Sequence, residues 1–132
     1  MRFDADLGDV PPALWAGTID QLRFKGSRAI GEVVFLHRAS ATLILADLIE
    51  NFEAERLDPP MRWIARLGGV LAPEGKTPLD MRLTYLAHKR EARACLERML
   101  AWQPQRIILA HGQCFMEDGE AELRRAFAWL LR

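Results

Sequence analysis

Two short apolar runs in this chain end on residues that bind metals. Thr42-Leu43-Ile44-Leu45-Ala46 stops at Asp47, and Arg106-Ile107-Ile108-Leu109-Ala110 stops at His111-Gly112. Both runs read as buried-type strands, the first apolar on both faces as a central strand would be. In open α/β sheets, sites form off the carboxyl ends of strands. If the two strands are neighbours pointing the same way, a carboxylate and an imidazole meet on one rim. That pair is a normal beginning for a zinc, iron or manganese site. A local reading stands beside this one. Asp47-Leu48-Ile49-Glu50 has capping-box spacing, so Asp47 also suits the N-cap of a short helix from Leu48 to about Arg56. His111-Gly112 also suits a polar turn after a strand. The parallel design of LILAD and IILAH favours the shared rim.

The remaining metal-binding and nucleophilic side chains are weaker candidates. His37 precedes a hairpin turn while Asp47 ends the returning strand. Five residues of strand put them about 15 Å apart, so His37 is expected to hydrogen-bond the turn instead. His88 falls between two helical stretches and reads as a helix-end residue. Cys114 follows His111 by three residues, but nothing nearby lowers its pKa, and a structural thiol is the expectation. Cys95 belongs to a helix core. The acids Glu117, Asp118, Glu120 and Glu122 complement the dipole of the last helix. There is no phosphate-cradling glycine loop and no G-x-S-x-G elbow.

These residues need a frame to position them. Residues 1–17, with Pro11-Pro12 and several acids, read as an irregular N-terminal segment on which only Trp15 docks. Residues 18–132 read as a single domain. Ile19 to Phe24 alternates as a half-buried strand, and Lys25-Gly26-Ser27 turns. Glu32–His37 and Thr42–Ala46 form a hairpin around Arg38–Ala41. Met61–Leu67 is a helix placing Trp63, Ile64 and Leu67 together, ended by Gly68-Gly69. Thr77 as N-cap and Pro78 at N1 open another helix, with Leu79, Leu83 and Leu86 as its stripe. Lys89–Trp102 is amphipathic, burying Ala92, Cys95, Leu96, Met99 and Leu100. Glu120–Leu131 closes the chain, with Leu123, Phe127, Leu130 and Leu131 inward. The pattern specifies an α/β (α+β) fold, a mixed β-sheet covered by helices.

Bulk properties narrow the function. The 132 residues carry no net charge, which argues against an electrostatic grip on nucleic acid or an anionic membrane surface. The N-terminus has no signal-peptide core, and no apolar run approaches a membrane span. Two distant cysteines make no disulfide framework, so a cytoplasmic location is expected.

EVVFLHRASATLILADLIENF, the WQPQRIILAHG segment and the AFAWLL ending resemble the C-terminal half of an uncharacterised family, a domain of unknown function with a metallo-β-lactamase-like fold. The resemblance runs from about Phe3 to Leu131. It implies one half of an αββα sandwich whose edge holds one or two metals. In that family the first half supplies an H-x-H-x-D-H loop and a further His; the second supplies an Asp at a strand end and a His before a Gly. Asp47 and His111 match the last two positions, whereas H-x-H-x-D-H is absent from this sequence. The implied function is the C-terminal portion of a metallo-hydrolase-like protein, giving Asp47 and His111 to a site for zinc or another divalent metal that this chain does not complete. The implied partner is a missing N-terminal half, or a second copy meeting it through an apolar sheet face. The alternative is a non-catalytic structural or interaction module in which Asp47 caps a helix.

Overall fold

Four strands form the sheet of this computed structural model, which describes residues 4–132; residues 1–3 of the N-terminal segment lie outside the described residues. The strands are β1 (Ile19–Phe24), β2 (Glu32–His37), β3 (Thr42–Leu45) and β4 (Arg106–Leu109), side by side in that order. β1–β2 and β2–β3 pair antiparallel, and β3–β4 pairs parallel. The helices are α1 (Pro59–Gly68), α2 (Leu79–Thr84), α3 (Lys89–Ala101), α4 (Gly119–Ala126) and α5 (Ala128–Leu131). The fold is a mixed α+β arrangement, as the alternation of patterns implies.

Strand periodicity decides where the core sits. Leu22 and Phe24, Val34 and Leu36, Leu43 and Leu45, and Ile107 and Leu109 are all buried and share one face. Leu96 and Met99 of α3, Leu123 of α4, Phe127 and Leu130 close over that face. Phe24 meets Tyr85 edge-on at 5.6 Å and Phe127 at 5.6 Å, a geometry that adds to simple burial.

The opposite face is only partly covered. Trp15 docks there through its indole N–H, which donates to Gln21 (3.2 Å), and Gln21 in turn donates to the Gly8 carbonyl (2.9 Å). Val33, Phe35 and Ile44 are half-buried on this side, and Ile108 is 42% exposed. β4 is therefore not buried on both faces as its apolar sequence suggests. It is one of the two edge strands, and Arg106 and Ile108 turn toward water.

Helix spacing identifies which residues share a stripe but not whether anything covers it. In α1, Met61, Trp63, Ile64 and Leu67 are exposed and only Ala65 is buried. In α2, Leu79 and Leu83 face out while Met81 packs inward. Thr77 does not cap α2. Pro78 occupies the cap position, and the buried Thr77 hydroxyl accepts the Trp129 indole N–H instead (3.3 Å). The closing helix breaks at Phe127, so the last turn, α5, is a separate short helix.

Candidate functional site

β3 and β4 bring Asp47 and His111 together. Thr42 pairs with Arg106 and Leu45 with Leu109, and the same offset along the chain carries Asp47 to the level of His111. Each residue lies two positions past the end of its strand, on the shared C-terminal edge. His111 Nε2 is 2.9 Å from Asp47 Oδ1, and the side chains are 47% and 53% exposed respectively. The two groups meet as a close nitrogen–oxygen contact between an imidazole and a carboxylate. An exposed pair of this kind contributes only about 0–1 kcal/mol to stability.

The approach to Asp47 is not a helix. Residues 46–49 bend, and Glu50, Asn51 and Phe52 form bridges to Lys76, Gly112 and Leu71. Only a single 3-10 turn, Ala54–Arg56, follows. The helix-cap role for Asp47 is thereby corrected. A cap at Asp47 would satisfy the N–H groups of Ile49 and Glu50, but the Glu50 N–H donates to the Lys76 carbonyl instead (3.3 Å), and the backbone just before it is held from elsewhere. The Glu32 carboxylate accepts the N–H groups of Ala46 (2.6 Å), Asp47 (2.9 Å) and Leu48 (3.0 Å). Leu48 and Ile49 are both fully buried, which fixes the bend.

Glu32 was legible in one respect. It begins β2 on the face of Val34 and Leu36, so period two sends it into the core. Burial pushes its carboxyl above the ordinary glutamate range and the Asp47 charge adds to that, while the three backbone donors oppose it.

The His111 side of the rim is built on Asn51, which is buried. Its amide donates to the Gln113 carbonyl (2.7 Å) and its side-chain oxygen accepts the Gly75 N–H (2.9 Å). Its backbone N–H donates to the His111 carbonyl (3.1 Å), and its own carbonyl accepts the Gln113 N–H (2.8 Å). This explains the glycine after His111. Gly112 has φ +93°, and a Cβ there would stand 2.0 Å from the Asn51 carbonyl oxygen. Nothing in the residue pattern around Asn51 announces this role.

Two further groups stand beside the pair. The Phe52 ring lies 6.1 Å from the His111 ring, centroid to centroid. Burial pushes the Glu50 carboxyl above its ordinary range; His111 opposes that shift, while Asp47 and Asp80 reinforce it.

The other candidates fall elsewhere. His37 Nδ1 is hydrogen-bonded to the Ser40 hydroxyl (2.7 Å) in the hairpin turn, at the far end of β3 from Asp47. His88 ends a 3-10 turn before α3. The Cys114 thiol receives the Leu109 N–H (3.4 Å). Cys95 is buried in α3 and receives the Lys25 N–H (3.3 Å), and burial raises its pKa.

As a metal centre the rim is partial. Donors at about 2.0–2.1 Å from a tetrahedral zinc sit about 3.3 Å apart, so Nε2 and Oδ1, at 2.9 Å, would part by a few tenths of an ångström to take two positions of such a site. A catalytic zinc takes three protein ligands, and no group of three or more His, Cys, Asp or Glu side chains able to hold a metal occurs among the described residues. Among them, too, no helix is long and apolar enough to cross a membrane. Comparisons with protein-family models, with curated proteins and with solved structures return no match.

Proposed function

We propose that this chain supplies two ligands, Asp47 and His111, to a divalent-metal site of metallo-hydrolase type that a further polypeptide segment completes. The observation that carries this reading is the 2.9 Å approach of the two side chains on the shared strand edge. Its support is comparative. The pair adds little to stability, yet a buried glutamate and a buried asparagine hold the two loops that present it. Zinc or a similar ion would sit between Nε2 and Oδ1; the neutral ring would bind it through Nε2 with its proton on Nδ1, and a proton would be released only from a cationic ring. What the ion supplies when fully ligated is Lewis-acid activation of water or a carbonyl. The two residues here hold it and fix its distance from the sheet edge.

The completing segment, a metallo-β-lactamase-like first half or a second copy, lies in this reading against the partly covered sheet face of Val33, Phe35, Ile44 and Ile108. The compartment consistent with free thiols at Cys95 and Cys114 is the cytoplasm.

Paramagnetic broadening by Mn²⁺ tests the proposal on the chain as it stands. Amide and ring signals near Asp47 and His111 are expected to broaden first, at weak affinity. Broadening should be lost in Asp47→Ala and His111→Ala, with no metal-dependent ester, lactam or phosphodiester turnover by the chain alone. Broadening that is uniform over the surface, or unchanged in both variants, would overturn the assignment.

A further inference from the structure

A cavity of about 740 Å³ opens between α1 and α2, beside the Asp47–His111 rim. Phe52, Ile64, Val70 and Leu79 are among the apolar side chains that line it, and among the described residues its only charged lining groups are the carboxylates of Glu50 and Asp80. The volume lies in the range that takes up small organic ligands, about 300–1,000 Å³. Among the described residues neither carboxylate has an ion-pair partner. An anion entering here would meet two like charges in an apolar surround, and a neutral molecule would leave both unmatched. We propose that this cavity binds a small organic cation, an alkyl or aryl body bearing an ammonium head, with the head against Glu50 and Asp80 and the body along Ile64, Val70 and Leu79.

The charge balance around Glu50 supports that polarity. The groups that act on it are His111, Asp47 and Asp80, two of them acidic, and burial already disfavours its ionised form. A bound cation reverses that penalty, whereas a bound anion deepens it. Phe52 lines the cavity and also lies against His111, so the cavity and the rim share one wall. The inference does not depend on the rim holding a metal.

Calorimetric titration with decyltrimethylammonium and with decyl sulfate, each below its micelle concentration and in the presence of a chelator, decides the matter. The full chain is expected to bind one cation saturably, at least about tenfold more tightly than the anion of equal chain length, a difference of about 1.4 kcal/mol. Asp80→Asn, an exposed change at the start of α2, should weaken cation binding severalfold without altering the melt; Glu50→Gln with Asp80→Asn should abolish the preference for cation over anion. Equal affinity for the two ions, binding of many ions per chain, or a preference that survives the double variant would overturn the proposal. So would failure to bind because the chain dimerises through this face, which sedimentation would detect.

Discussion

Removing the Glu32 carboxylate is expected to loosen the rim from below. Three N–H groups converge on it, at 2.6, 2.9 and 3.0 Å. In Glu32→Ala those of Ala46 and Asp47 belong to exposed residues and regain water, at about 0.5–1 kcal/mol each. The Leu48 N–H lies in a fully buried residue and stays unpaired, at about 1–3 kcal/mol. The sum is about 2–5 kcal/mol, or a fall in Tm of very roughly 10–20 °C for a chain of this size. Glu32→Gln keeps one oxygen but turns an NH2 group toward backbone donors, and should cost about half as much. The pH dependence has a definite sign. The folded-state pKa of Glu32 is raised, so the folded state holds that proton more tightly than the unfolded chain. Stability contributed this way is full below about pH 4.3, where an unperturbed glutamate titrates, and falls as pH rises through the raised value. Both variants should flatten that decline. Urea melts from pH 4 to 8, with amide exchange at Ala46, Asp47 and Leu48, measure all of this. If Glu32→Gln is as stable as the parent at pH 7 and the Leu48 amide keeps its protection, the carboxylate does not hold the loop.

Gly112→Ala places a side chain at φ +93° and against the Asn51 carbonyl, so a loss of about 2–4 kcal/mol is expected in a urea melt, together with loss of the Asp47–His111 contact read from the imidazole resonances. Tyr85→Phe should do the opposite: the Tyr85 hydroxyl is buried with no hydrogen-bond partner among the described residues, and burial, aided by the charge of Glu32, drives its pKa up to about 12. Deleting that oxygen should raise stability by about 1 kcal/mol, visible as a higher Tm; a lower Tm would mean that the hydroxyl is in fact paired.

Much of the frame was legible because it is set by short-range pattern. The β2–β3 hairpin, the α3 face of Ala92, Cys95, Leu96 and Met99, and the end of α1 at Gly69 follow from alternation, helical period and a left-handed glycine cap. The adjacency of Asp47 and His111 was legible too, since two similar runs with polar ends suggest neighbouring parallel strands. What failed was whatever depended on the far side of a surface. The apolar stripes of α1 and α2 were identified as stripes, but Trp63 and Leu83 face water because no element lies over them. The helix after Asp47 failed for a different reason. Its capping spacing is real, yet a carboxylate fifteen positions earlier holds the backbone at Asp47 and the Glu50 N–H donates to the distant Lys76 carbonyl, and no local rule contains those contacts.

The distribution of buried polar groups bears on what the fold is arranged to do. Among the buried polar side chains, Glu32 and Asn51 each hold distant loop backbone through more than one hydrogen bond, and both act at the same edge of the sheet. Burying a carboxylate in an apolar core is costly even with good donors. A chain needing only stability could turn the loop after β3 with an N-cap or a glycine. Here the turn is instead made by a long-range contact that fixes the direction of Asp47, while Asn51 and Gly112 fix His111 from the other side. Two exposed side chains that contribute little to stability are thus held by two buried ones at a cost to it. Such an arrangement fits a site whose geometry matters more than the energy of the contact between its two side chains.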